Sequence, residues 1–403
     1  MKIFSNKHIL LGVSGSIAGY KAVELASKLT QAGALVDVIL TPAAEKFITP
    51  LTFQSVTGRK VFTEADLWGG QAHVLHVGLA QGADLLAIAP CTANTLGKLA
   101  HGMADNLLTI TALAARCPLL VAPAMDVGIY TNTATQENVR ILTERGVYFA
   151  GPDEGRMASG LVGKGRLVEP AELLGHLRLV LGRQGALSGK KIVVTAGGTQ
   201  EPLDPVRVLT NKSSGKQGLA LAQAAIDAGG TVVLVSAQTV SASPVGVRHI
   251  AVKTAAEMLE SVLAESEGAD ALIMAAAVAD FRPKRVADQK LKKRDGIPQV
   301  DLEATPDILA AVAAMGSRRP GVVIGFAAES RDLLENAAAK LKSKKLDMIV
   351  ANDISAADSG FGVDTNRVTL WFADEKQEPL PLMGKEQVAE TIIAHLAMLL
   401  ETK

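Results

Sequence analysis

Apolar runs alternate with helical patterns along the first half of the chain: HILLGV from His8, an Ala/Leu-periodic stretch to about Gln31, then ALVDVIL, DLLAIAP, PLLVAPAM and VYFAG. This is a βαβ series, which predicts a parallel sheet with helices on both faces and a binding edge at the strand C-termini. A helix bearing Leu173, Leu174, Leu177, Val180 and Leu181 then runs into GRQGALSGKK, whose Gly, Ser and charge content reads as a linker. The same grammar restarts with KKIVVTAGG, TVVLVS, VRHIAV, ADALIMAAA, GVVIGFAAE and LDMIVAND. The expected fold class is therefore α/β, with two doubly wound, Rossmann-like parallel-sheet domains over residues 1–186 and 187–403. Phe281 to Glu303 breaks the pattern, being polar, basic and interrupted by Pro283 and Pro298, and reads as a long functional loop. The chain closes with a strand, RVTLWFA, and a helix from Lys385 to about Leu400.

Composition agrees with this picture. A length of 403 residues suits two domains, and 48% hydrophobic with only 3% aromatic residues calls for cores of Ala, Val, Leu and Ile. Forty-one basic residues balance 41 acidic ones, which argues against nucleic-acid or membrane-surface binding and leaves charge chemistry local. Cys91 and Cys117 form neither a disulfide framework nor a metal-ligand spacing, so a reducing cytoplasm is expected. The Gly-broken N-terminal run is too short for a signal peptide, and no stretch of about 18 apolar residues occurs.

The first strand is followed by GVSGSIAGYKAVELASKL, where Gly12, Gly15 and Gly19 lead into a helix whose backbone amides can hold an anion. The spacing is not GxGxxG, and the second strand ends at Thr41 rather than at an acid suited to an adenosine ribose, so NAD is disfavoured. Thr92, Asn94 and Thr95 stand at another strand end, and PAMDVGIY adds a third polar loop on the same edge. Three such loops imply a ligand. On SGSIAGYK, HVGLA, APCTANTLGKLA, MADNLLT, PAMD and MASGLVGKGRL, residues Ile9 to about Pro170 resemble the flavin-dependent cysteine decarboxylases, specifically the phosphopantothenoylcysteine decarboxylase domain. The resemblance implies a flavodoxin-like flavoprotein domain in which Gly15, Ser16, Ile17, Thr41, Thr92, Ala93 and Asn94 hold FMN and His76 is the catalytic base. It also implies flavin oxidation of the substrate thiol to a thioaldehyde, carbon dioxide loss, and reduction of the resulting enethiol.

Two positions depart from that family. Asp126 stands where an asparagine is usual, exchanging an amide that donates to the substrate carboxylate for an acid. Ser159 stands where the flap usually carries a cysteine, exchanging a thiol for a hydroxyl of far higher pKa. Because the surrounding motifs are intact, the expectation is a paired variant site in which decarboxylation persists. A protonated Asp126 would supply the missing hydrogen bond, with Cys91 a candidate proton source. The alternative is an FMN-binding domain that does not complete decarboxylation.

In the second half, VTAGGTQEPLDPVRVLTNKSSGKQG follows a strand and opens a helix, combining Gly197, Gly198, Thr199 and Gly215 with Arg207, Asn211 and Lys212. Its donors suit phosphate or carboxylate oxygens, although no Walker A loop is present. From about Gly189 onward the chain resembles phosphopantothenate-cysteine ligases, and the two halves together resemble the bifunctional bacterial coenzyme A enzymes. In that family the carboxylate of 4'-phosphopantothenate attacks the α-phosphate of CTP, and cysteine's amine then displaces CMP. The matching motifs imply that Asn211 contacts the acyl-cytidylate and Lys290 stabilises the phosphates. They assign Ala276, Asp280, Pro306, Asp307, Ile308, Leu309, Phe326, Lys340 and Lys344 to the nucleotide. Magnesium is expected for triphosphate chemistry, with no ligands legible. Trimeric decarboxylase and dimeric ligase contacts in a homo-oligomer are implied. A competing reading, a flavin or nucleotide sensor acting through a partner, finds no partner-binding element to support it.

Overall fold

In the first unit, Met1–Gly182, the strands β1 (His8–Val13), β2 (Leu35–Leu40), β3 (Val61–Phe62), β4 (Leu85–Cys91), β5 (Leu119–Pro123) and β6 (Tyr148–Phe149) form one parallel sheet in the order β3-β2-β1-β4-β5-β6. This computed structural model describes residues 2–68, 74–237, 243–292, 296, 298–329, 333–353 and 363–403. Strand alternation sends Ile9, Leu11 and Val13 into one core and Leu10 into the other. The helix Gly19–Gln31 covers the first of these with Ala22, Leu25, Ala26 and Leu29, an i, i+3, i+4, i+7 stripe. Burying each leucine of such a stripe contributes about 1.5–3 kcal/mol. Leu96, Leu107 and Leu108 cover the second core. The order reverses between β1 and β4, which opens a crevice at their C-terminal ends. An antiparallel ribbon, β7 (Asp153–Arg156) and β8 (Val162–Arg166), follows the sheet.

The segment expected to be a linker is packed. Leu187 is fully buried, and its N–H donates to the Ala228 carbonyl at 2.7 Å, so this stretch is part of the second unit, Arg183–Lys403. Glycine and serine content marks a chain that can be flexible; one well-placed leucine suffices to pin it.

The second unit contains β9 (Lys191–Ala196), β10 (Gln200–Pro202), β11 (Val208–Thr210), β12 (Thr231–Ala237), β13 (Arg248–Val252), β14 (Ala271–Met274), β15 (Phe281–Pro283), β16 (Leu302–Ala304), β17 (Val322–Glu329), β18 (Met348–Asp353), β19 (Thr365–Asn366), β20 (Val368–Phe372), β21 (Gln377–Pro379) and β22 (Met383–Gly384). Its main sheet runs β13-β12-β9-β14-β17-β18-β20-β21, parallel as far as β18 and antiparallel at β20 and β21. The expected RVTLWFA strand is β20; its residues alternate between buried Val368, Leu370 and Phe372 and less buried Thr369 and Trp371, as a strand near an antiparallel edge does.

Short antiparallel ribbons, β10–β11, β15–β16 and β19–β22, accompany that sheet. The segment Phe281–Glu303 is therefore not loop throughout, because its two ends pair as β15 and β16. Residues 293–295 and 297 of that segment lie outside the described residues.

Candidate active sites

At the crevice of the first unit, Ser14 ties two strand ends together. Its Oγ donates to the Pro90 carbonyl at 2.8 Å and accepts the Thr92 N–H at 2.9 Å. Thr92 in turn caps the helix Ala93–His101, its hydroxyl accepting from the Thr95 N–H. On the other side Ser16 Oγ accepts the Ala18 N–H at 3.2 Å, and Thr41 accepts the Ala44 N–H at 3.2 Å. Gly15 lets these turns meet, since a Cβ there would stand 2.5 Å from that of Ala43. Gly15, Ser16 and Ile17 thus join Thr92, Ala93 and Asn94 at one sheet edge through Ser14, with Thr41 following β2 on the same edge. Ile17 is 63% exposed, an apolar surface beside backbone donors. His76 is half-buried on the first turn of the helix Leu75–Gly82.

Asp126 and Ser159 meet although 33 positions separate them. Ser159 Oγ donates to Asp126 Oδ2 at 2.5 Å, while Oδ1 accepts the Gly128 N–H at 3.0 Å. Both bonds, that from Ser159 foremost, favour the ionised carboxylate and hold Asp126 below the usual carboxylate range. Here the Asp126 oxygens accept from both neighbours, where the expectation was a protonated acid that donates. Cys91 is also corrected as a proton source. It is fully buried at the end of β4, and burial pushes its thiol well above its ordinary value. The ribbon carrying Ser159 is held by a further bond, Met125 N–H to the Gly165 carbonyl at 2.9 Å. A Cβ at Gly165, where φ is +156°, would stand 2.2 Å from the Met125 carbonyl oxygen. Sequence reading missed Lys21, which is 4% exposed and donates to the Leu167 carbonyl at 2.7 Å and to Glu169 Oε1 at 2.9 Å.

The second unit has a cavity of about 500 Å³ at the C-terminal ends of its parallel strands. Ala276, Asp280, Pro306, Asp307, Ile308, Leu309, Phe326, Lys340 and Asn211 all line it. Two threonines hold the AAAVAD loop against β9 and the turn after it: Thr195 Oγ1 accepts the Ala276 N–H at 3.0 Å, and Thr199 Oγ1 accepts the Ala279 N–H at 2.9 Å. Asn211 Nδ2 donates to the carbonyls of Ala277 and Val278 at 3.3 and 3.0 Å. Lys340 Nζ donates to the Phe326 carbonyl at 2.9 Å.

Lys344 is not among the lining residues but pairs with Asp307, which is, at 2.6 Å. Burial alone would raise the Asp307 pKa, but the bonds from Lys344 and from the Ala310 N–H hold it below the usual range. Lys290 is exposed and is not among the lining residues; its neighbour Leu291 is fastened to Asp204. Among the described residues no group of three or more His, Cys, Asp or Glu gathers as a metal site.

Lys216, Gln217, Asn352, Asn366 and Lys385 also line this cavity and escaped sequence reading. Gln217 Nε2 donates to the Lys385 carbonyl at 3.3 Å, which can only accept, and this orients Gln217 Oε1 toward Asn366 Nδ2 at 3.4 Å. Asn366 Oδ1 is thereby left as a buried acceptor without a partner among the described residues, as is Asn352 Oδ1. Neither oxygen has surface open to the cavity, and a buried acceptor without a donor costs about 1–3 kcal/mol. Lys216 was visible inside SSGKQG, but nothing in the sequence joins it to residues about 150 positions away.

Two α/β units, each with its polar groups gathered at the strand ends, define a two-site enzyme of Rossmann type. Residues 3–179 match the Flavoprotein family model, and residues 187–400 match that of the DNA/pantothenate metabolism flavoprotein C-terminal domain. The coenzyme A biosynthesis bifunctional protein CoaBC of Bacillus subtilis is 44% identical over 400 residues, covering 98% of each chain. The Vibrio cholerae protein of that name is 45% identical over 395 residues, again covering 98% of each. That of Mycobacterium tuberculosis is 41% identical over 401 residues, covering 96% of this chain and 95% of its own. Among solved structures, the C-terminal domain of a coenzyme A biosynthesis bifunctional protein CoaBC is 39% identical with a TM-score of 0.47, covering 54% of this chain and all of its own.

This chain belongs to the family of coenzyme A biosynthesis bifunctional proteins, flavoproteins with decarboxylase and ligase activities. Among the described residues no helix is long and apolar enough to cross a membrane.

Proposed function

We propose that this enzyme makes 4'-phosphopantetheine in two steps. In the second unit the carboxylate of 4'-phosphopantothenate attacks the α-phosphorus of CTP and releases pyrophosphate; the amine of cysteine then attacks the acyl carbon and releases CMP. The observation that carries this reading is the cavity itself, which gathers Asn211, Asp280, the Pro306–Leu309 turn, Phe326, Lys216 and Lys340 around one space. The Asp280 carboxylate suits the amino and hydroxyl donors of a nucleotide. Lys216, Lys340 and the start of the helix Lys216–Asp227 suit its phosphates. Magnesium would neutralise the triphosphate, with Lys290 approaching from the basic segment.

In the first unit the donor set at the starts of the helices Gly19–Gln31 and Ala93–His101 fits the phosphate of FMN, and exposed Ile17 fits an apolar ring face. Bound FMN would supply the electron sink that oxidises the substrate sulfur and eases loss of its carboxylate as carbon dioxide. His76 would take up a substrate proton, and Ser159 would hold the ribbon beside Asp126. A second reading is favoured by one feature: Asp126 accepts from Ser159 and is held below the usual carboxylate range, so neither residue supplies a ready proton; the enethiol would then be released unreduced, and the two electrons left on the flavin would pass to dioxygen.

One incubation separates these readings. Purified protein is mixed with 4'-phosphopantothenate, cysteine, CTP and magnesium, and every product is identified by mass. The first reading expects 4'-phosphopantetheine, the second the enethiol. Absence of any CTP-dependent cysteine adduct overturns the ligase assignment. The enzyme is further proposed to be cytosolic, acting on small molecules as a homo-oligomer with trimeric decarboxylase and dimeric ligase contacts; light scattering of the full chain tests the assembly.

A further inference from the structure

Asp204 lies in the turn between β10 and β11, and its side chain has no exposed surface. Oδ1 accepts the N–H groups of Val206 and Arg207 at 2.8 and 2.7 Å. Oδ2 accepts from Arg207 Nη1 at 2.7 Å and from the Leu291 N–H at 3.1 Å. The last of these reaches 87 residues along the chain, into the basic segment. The same Arg207 Nη1 also donates to the Leu291 carbonyl at 2.8 Å, so both polar groups of that peptide backbone are held by one carboxylate–guanidinium pair. A second rung, Ala287 N–H to the Leu203 carbonyl at 3.1 Å, runs alongside. Burial opposes the charge on Asp204, yet the backbone donors and Arg207 outweigh it and pull the carboxyl down to about 2.

The turn alone does not require this arrangement. Two bonds from Asp204 Oδ1 to the following N–H groups already make an Asx-type turn. The bonds to Arg207 and Leu291 fasten a distant segment. Leu291 directly follows Lys290, whose exposed side chain sits on backbone without regular secondary structure. Where that ammonium can reach is set by where the backbone at Leu291 is fixed. At the far end of the same ribbon, Thr210 Oγ1 donates to the Thr199 carbonyl at 2.7 Å, and Asn211 follows it into the cavity wall. The three residues of β11 span about 10 Å, so the ribbon is a short strut between the two.

We propose that Asp204 is a positioning residue of the ligase step: through Arg207 and Leu291 it fixes the Lys290 backbone to the ribbon that carries Asn211, so that the ammonium and the cavity keep one register. This rests on the nucleotide reading of the cavity given above. Asp204 acts through Lys290, so its effect must vanish when Lys290 is gone.

The test uses the full chain with Asp204→Asn, Lys290→Gln and the double substitution, measuring CTP-dependent pyrophosphate release with 4'-phosphopantothenate and magnesium. Asp204→Asn keeps the shape and an acceptor but removes the charge that Arg207 pairs with. The expected result is a fall of about tenfold or more in the otherwise unaltered chain and less than about twofold in the Lys290→Gln background, as for residues acting through one contact. Equal factors in both backgrounds, or no effect in either, overturn the proposal.

Trypsin cleavage after Lys290 and Lys292 gives a second readout that needs no activity. It should accelerate at least about tenfold in Asp204→Asn while cleavage elsewhere is unchanged, because local opening sets access. Unchanged cleavage at these sites also overturns the clip, and general acceleration identifies a folding defect in place of a positioning role. If the unaltered chain releases no pyrophosphate from CTP, the nucleotide reading has failed, and trypsin still decides whether Asp204 holds the segment.

Discussion

Asp126 and Ser159 make sense only together. Each alone exchanges a useful group for a less useful one, an amide for an acid and a thiol for a hydroxyl; as a pair they supply a donor and an acceptor that satisfy each other. If that bond is their main contribution, Asp126→Asn and Ser159→Ala should each slow carbon dioxide release from phosphopantothenoylcysteine. The double variant should then be no worse than the poorer single one by more than about threefold. Independent, multiplying losses in a carbon dioxide assay would show that the two act separately. At Asn366 the expectation differs between stability and binding. Replacing it with leucine removes a buried, unpaired oxygen but takes the donor from Gln217 Oε1, so thermal stability should change little, while CTP binding weakens by about tenfold. Melting curves with and without CTP measure both, and an unchanged CTP-induced shift would remove Asn366 from the site. Asp126 and Ser159 were legible because they interrupt intact motifs. Asn366 was not, since a lone asparagine in a two-residue strand carries no sign of what it will face.

At the scale of elements, the ribbon β7–β8 is attached to the loop after β5 by two kinds of bond with different pH behaviour. The Met125–Gly165 backbone bond does not titrate; the Ser159–Asp126 bond is strengthened by ionisation of the carboxylate. Asp126 has a folded pKa below its ordinary value of about 3.9. Its contribution is therefore fully present above that ordinary value and is lost as pH falls through the depressed one. Hydrogen exchange across residues 157–162, corrected for intrinsic rates, should show constant protection from pH 7 to about 5 and a loss confined to the acid side of about pH 4. Loss of protection near neutrality would point to a histidine and contradict this account. The parallel strands were readable from their apolar runs because burial on both faces leaves an unbroken signal. Two- and three-residue strands such as β10, β15 and β19 were not, since no periodicity develops over so few positions.

For the whole molecule, the two units each have their own sheet and their own buried clusters, of which Leu25, Leu85 and Leu173 belong to the first and Val193, Leu272 and Ile349 to the second. Each should fold when produced alone. Residues 183–403 are expected to unfold in one cooperative transition and to retain CTP-dependent ligation, and residues 1–182 to bind flavin. A cut at 186 in place of 182 would strip the second unit of the chain leading into Leu187 and should lower its midpoint by a few degrees, of order 1 kcal/mol in a domain this size. Scanning calorimetry of the two versions distinguishes them.

Apolar periodicity, a glycine turn before a helix and unbroken motifs determined that the chain is α/β, that it has two main parallel sheets, and that both candidate sites belong at strand C-termini; these are local properties of short stretches of chain. Tertiary structure alone decided that Leu187 is core rather than linker, that Asp126 accepts from Ser159, that Cys91 is sealed, that Asn366 lines the cavity of the second unit, and that Asp204 holds the backbone beside Lys290. Each of those outcomes depends on which distant group arrives at 3 Å, and a sequence specifies that only through the fold it makes.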